Sequence, residues 1–195
     1  MNKRRFLMTG ALLGATLPAR ALAAPSRART GPCLLTVTGE IGRSNRGPLD
    51  PALDQLMVKH GAKFDKAWAL DATMLARLPA MTIQPTLEYD AKPHKLSGPL
   101  LATVLAEAGV AARAPVMLGL RALDGYTIAL SLADAQRYRM IVATALDGVP
   151  LGIGGLGPLW AVFDADRLPD FKDKPLKERF ALCPWGLYAI DVKPV

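Results

Sequence analysis

The chain of 195 residues carries a formal net charge of +7, yet it is 51% hydrophobic and only 6% aromatic. Four of the positives, Lys3, Arg4, Arg5 and Arg20, fall in the first 23 residues, where no acid stands, so the remainder carries about +3. A nucleic-acid footprint needs Lys and Arg clustered on one face; the densest candidate, FKDKPLKERF, is interrupted by Asp173 and Glu178, which excludes that class and leaves a solvated loop with a short helix.

Residues 1–23 read as a cleaved signal peptide: a basic start, an apolar run of about 12 residues from Phe6 to Leu17, and Ala21-Leu22-Ala23 as a small-x-small cleavage site. The run is shorter than the roughly 20 residues that a bilayer requires, and Pro18 breaks it. Lys3-Arg4 followed by Arg5-Phe6-Leu7 resembles a twin-arginine signal, with Lys in place of the first Arg. Together these predict an exported, periplasmic protein. Residues 24–32 (APSRARTGP) read as a flexible leader, and residues 33–195 as one domain with a sizeable core.

CLLTVTGEI predicts a first strand, and RSNRGPLD a loop. Asp50 is placed to cap a helix with Pro51 at its first position, Leu53, Leu56 and Met57 on one side, and Gly61 as the stop. FDKAWAL predicts a strand, after which Asp71 caps the short helix ATMLARL. MTIQPTLEY predicts another strand. Ser97 then caps a helix with Leu100, Leu101, Val104, Leu105 and Ala108 as a core stripe, closed by Gly109. PVMLGLRAL, GYTIALSL and YRMIVATAL follow as strands, and Asp147-Gly148 is a hairpin dipeptide leading into VPLGI. LWAVFD and LYAIDV complete the set. Seven or eight strands with three or four short helices do not alternate as a βαβ array; the prediction is α+β, with a mixed, mostly antiparallel sheet.

GIGGLG at 152–157 fits G-x-G-x-x-G, but Pro158 and a strand pattern follow where a dinucleotide site needs a helix N-terminus. A glycine-rich loop before a strand still lets a ligand approach the backbone. Of the two histidines, His60 sits in a last helical turn, a structural place. His94 lies in a polar turn and could touch a ligand or move a proton; a solvent-facing loop residue is the plainer alternative. No G-x-S-x-G motif marks a hydrolase. Tyr89 and Tyr126 stand at strand ends beside Asp90 and Asp124, while Trp160 and Trp185 follow Pro-containing turns. A flat heteroaromatic ligand needs such stacking surfaces together with acceptors for its ring N–H groups. For the two tryptophans, core packing is the alternative. Cys33 and Cys183 either pair, closing a loop of about 150 residues worth roughly 5 kcal/mol, or stand as separate thiols.

CLLTVTGEI, LSGPLLATVLAEAGV, DGYTIALSLADAQRYRMIVATALDGVPL, GLGPLWAVF and WGLYAIDV, in that order, resemble the molybdopterin-binding domain of sulfite-oxidase-type enzymes across most of residues 33–192. The likeness is to small exported members described as molybdopterin-dependent oxidoreductases. It implies a mixed α+β fold around a pterin whose dithiolene holds molybdenum, with a cysteine ligand in the strand and turn that here reads TIQPTLEYD. No cysteine stands there, Cys33 and Cys183 fall elsewhere, and FALCPWGLY lacks the arginines that grip the cofactor phosphate. A thiolate fixes and tunes the metal; without it only the dithiolene and oxygens such as Glu88, Tyr89 or Asp90 remain. The resemblance therefore implies a non-catalytic binder of pterin or molybdopterin, with the metal argued against. Tyr89, Tyr126, Trp160 and Trp185 would frame the ring; Glu88, Asp90 and Asp124 would accept its N–H bonds; Thr86 and His94 would add polar contacts. Small relatives of this kind imply a partner in a periplasmic sensor domain of a membrane signalling protein. The alternative is an active oxidoreductase with non-cysteine molybdenum ligation.

Overall fold

The structure, a computed structural model, describes residues 30–195; the expected signal peptide and most of the leader lie outside the described residues. In chain order the strands are Leu35–Gly39 (β1), Trp68–Leu70 (β2), Ala80–Ile83 (β3), Leu96–Pro99 (β4), Val116–Ala122 (β5) and Thr127–Ser131 (β6). Ile141–Ala143 (β7), Ala145–Leu146 (β8), Val149–Pro150 (β9), Trp160–Val162 (β10) and Leu187–Pro194 (β11) follow. The α-helices are short: Gln55–Lys59 (α1), Ala72–Ala76 (α2), Leu101–Glu107 (α3) and Leu132–Arg137 (α4). None is long and apolar enough to cross a membrane.

A five-stranded sheet runs β2-β1-β11-β5-β6. Only the β1–β11 pair is parallel; every other pairing is antiparallel. β5 alternates buried and half-buried positions along VMLGLRA, as a strand with one face on the core should. A second sheet of order β3-β4-β8-β9 and the pair β10-β7 lie beyond the first, with β7 and β10 wholly buried. The fold is α+β with mixed, mostly antiparallel sheets and few short helices. Leu35, Leu118, Leu120, Ile141, Phe163 and Trp160 are among the fully buried side chains of its core.

Several boundaries differ from the sequence reading, each for a physical reason. Asp50 does accept from backbone amides, but those of Ala52 and Leu53 in a turn; the helix begins only at Gln55, and Leu53 stays exposed. Ser97 caps nothing: it lies in β4, opposite Thr82 on one side and Ala145 on the other. The segment is a strand because it pairs with β3 and β8, and Gly98 lets it pass close to β7. A Cβ there would stand 2.0 Å from the Val142 carbonyl oxygen, so only glycine lets β4 lie against β7. MTIQPTLEY is strand only to Ile83. Pro85 cannot donate to a ladder, and residues 85–94 form a loop closed by His94 N–H to the Pro85 carbonyl at 3.1 Å. LADAQR, where the sequence reading places no helix, is α4; the Ser131 hydroxyl caps it by accepting from the Asp134 amide at 2.9 Å. Asp71 caps α2 as expected, accepting from Met74 at 2.8 Å. Asp147-Gly148 makes the β8–β9 hairpin, both residues at positive φ (48° and 83°).

Candidate functional site

Three segments distant in sequence converge on one open cavity of about 260 Å³. The 85–94 loop brings Glu88 and Tyr89, the β5–β6 hairpin brings Asp124 and Tyr126, and the stretch before β11 brings Lys177, Phe180, Cys183 and Trp185. Backbone bonds explain why they meet. Ala161 donates to the Pro184 carbonyl at 3.1 Å, Leu187 to Leu159 at 2.8 Å, and Gly186 to Leu156 at 3.2 Å, so the segment carrying Trp185 is stitched to the glycine-rich loop and β10. Leu123 donates to the Gly186 carbonyl at 2.9 Å, and the Tyr126 hydroxyl to Ala181 at 2.7 Å, which tie the hairpin to the same segment.

The cavity lining is both aromatic and acidic. Tyr89 and Trp185 are 55% and 37% exposed, unusual for large rings in a folded chain, and so is Tyr126. Partial burial first, and the Glu88 carboxylate second, push the Tyr89 phenol up to about 12. It therefore stays a neutral O–H donor, with Glu88 and the Trp185 indole beside it. Asp124 accepts from the Tyr126 amide through one oxygen at 2.9 Å. Two carboxylates, four aromatic rings and one ammonium thus line a hollow that can take a flat ring bearing N–H donors.

Five of the nine residues expected at a ligand, Glu88, Tyr89, Asp124, Tyr126 and Trp185, line this cavity. Four do not. Trp160 is 1% exposed; its indole N–H donates to the Cys183 carbonyl at 2.8 Å, and its ring backs Tyr89 and Phe180 at 6.5 and 6.2 Å. It supports the wall from behind, as the packing alternative holds. The Thr86 amide is taken by the Asp166 carboxylate at 2.7 Å. Asp90 and His94 turn toward the β8–β9 hairpin instead, where the His94 ring lies between Asp147 (2.6 Å) and Asp90 (3.0 Å). The Asp147 hydrogen bond first, then that of Asp90, raise the His94 pKa from its ordinary 6.5.

Sequence reasoning missed Lys177 and Cys183 at this cavity. Cys183 stands far along the chain from the segment where a ligand cysteine is expected, yet folding brings it beside Glu88 and Tyr89; its position two residues before Trp185 is the available signal. The two cysteines stand as separate thiols, Cys33 exposed and Cys183 buried. Burial pushes the Cys183 thiol far above its usual range, so it is protonated. Among the described residues no group of three or more His, Cys, Asp or Glu side chains is placed to hold a metal ion. His60 is structural: it ends α1 and its ring bonds the Tyr188 hydroxyl at 2.8 Å.

No family model matches the chain, and a search of curated proteins finds no match.

Proposed function

We propose that this chain is an exported pterin-binding protein built on the molybdopterin-binding fold of sulfite-oxidase-type enzymes, without their chemistry. The observation that carries the reading is the convergence of Tyr89, Tyr126 and Trp185 with Glu88 and Asp124 around one hollow. A pterin presents a flat bicycle for the rings and a pyrimidine edge of N–H donors for a carboxylate. The cavity of about 260 Å³ lies just under the roughly 300–1,000 Å³ of pockets for drug-sized ligands, a scale that suits a bare bicyclic ring. Molybdenum on a pterin dithiolene would supply oxo transfer, but the donor set does not suit it: the sulfur at the cavity is a buried, protonated thiol, and among the described residues no group of three or more His, Cys, Asp or Glu is placed to hold a metal ion. No catalytic step is therefore assigned. Occupancy of the site is the output, read by a periplasmic sensor domain of a membrane signalling protein.

Mass spectrometry of small molecules released from the natively exported protein, with metals measured on the same sample, tests this. A fluorescent pterin without molybdenum is expected. Its absence from the native preparation, with no binding of added pterin, would sink the reading. One observation, Cys183 at the cavity, favours a second reading as an active molybdopterin oxidoreductase. Near-stoichiometric molybdenum that disappears in Cys183→Ser would establish that one instead.

A further inference from the structure

A larger cavity, about 510 Å³, lies apart from the aromatic one and shares no lining residue with it. It runs along β3 and is walled by Tyr138 and Arg139 on one side and by Asp164, Arg167 and Leu168 on the other. Three of its features have no internal explanation. Arg139, held at φ +51°, has no carboxylate partner among the described residues; its guanidinium touches only the Met81 sulfur, at 3.3 Å. Asp164 has one carboxylate oxygen near Arg167 at 3.4 Å, while the other is buried with no hydrogen-bond partner. A buried oxygen of that kind is costly unless something donates to it. Finally, β3 is an edge strand, so one side of its backbone has no strand partner.

We propose that this cavity binds a small organic carboxylate that carries an amide beside an apolar side chain, the chemistry of an N-acylated amino acid. The guanidinium groups of Arg139 and Arg167 meet the carboxylate, where a planar fork gives paired, charge-assisted bonds. The open edge of β3 meets the amide. Ile83, Tyr138 and Leu168 cover the apolar part. The volume sits within the roughly 300–1,000 Å³ of pockets for small ligands, and the mix of apolar walls with a few convergent polar groups fits that class.

The test is a titration of the purified protein with N-acetylphenylalanine, followed by amide chemical shifts in NMR. Saturable shifts are expected over residues 81–84, 138–139 and 164–168. The carboxamide analogue, which lacks the charge, and 3-phenylpropionate, which lacks the amide, should each bind about tenfold more weakly or worse. Arg139→Gln should weaken binding by a similar factor. Arg167→Gln alters a side chain that is 85% exposed, and should do the same if the first variant misfolds. The proposal is overturned by no saturable binding at millimolar ligand, by equal binding of the carboxamide, by unchanged affinity in both variants, or by shifts confined to the Tyr89 and Trp185 cavity. None of these results bears on pterin binding.

Discussion

Trp160 and Trp185 are the same residue type 25 positions apart, and burial gives them opposite roles. Trp160 is enclosed and hydrogen-bonded, so Trp160→Ala should lower unfolding stability by about 3–5 kcal/mol. Trp185 is partly exposed at the cavity. Trp185→Ala should leave stability within about 0.5 kcal/mol while weakening the proposed pterin binding about tenfold, the scale of a single stacking interaction between aromatic rings. Urea unfolding and fluorescence titration of the two variants separate the roles. His94 gives a prediction of a different kind. Its raised pKa means that its contribution is whole below pH 6.5 and fades as pH rises through the raised value. The His94 hydrogen bond lowers the pKa of both Asp90 and Asp147 from 3.8, so their contribution is whole above that value and fades as pH falls through the lowered ones. The clamp between the 85–94 loop and the β8–β9 hairpin is thus strongest from about pH 4 to 6.5, with Lys92 and Lys95 the nearby cations. Melting temperature measured from pH 5 to 9 should fall more steeply in the parent protein than in His94→Gln. Parallel curves would show that the clamp contributes nothing.

At the level of elements, two glycines separate close packing from backbone conformation. At Gly98 a Cβ would overlap the β7 backbone, so Gly98→Ala should destabilise by about 2–3 kcal/mol through overpacking. Gly148 has open space around it but sits at φ +83°; alanine there should cost only about 1 kcal/mol. Chemical denaturation of both variants checks the ranking. The same contrast explains what the sequence could convey. Asp147-Gly148 and Asp71 are legible because a hairpin dipeptide and a helix cap act within a few residues. Ser97 misleads because S-G-P-L before an apolar stripe imitates a helix start, whereas the partners that make β4 a strand, β3 and β8, lie elsewhere in the chain. α4 is hidden for a related reason: its Ser131 cap is also the last residue of β6, and strand and helix meet with no intervening turn.

For the whole molecule, the thiols offer a direct count. A thiol reagent should modify one cysteine of the native protein rapidly, exposed Cys33, and reach Cys183 only on unfolding; two fast thiols would contradict the burial of Cys183. About half of the expected ligand residues reach the cavity, and the pattern follows from topology. Tyr89, Tyr126 and Trp185 stand out in the sequence because few aromatics exist and these flank turns. That Lys177 and Cys183 join them depends on the crossing of the 156–161 and 183–187 backbones, which no local pattern encodes.

β11 is the latest strand in sequence among those described, yet it occupies the middle of the main sheet, between β1 and β5. A nascent chain that has emerged only through the glycine-rich loop holds the two halves of that sheet with nothing to join them. Assembly of the aromatic hollow must therefore wait until synthesis has passed residue 187, because Cys183 and Trp185 enter its wall only with the segment that leads into β11.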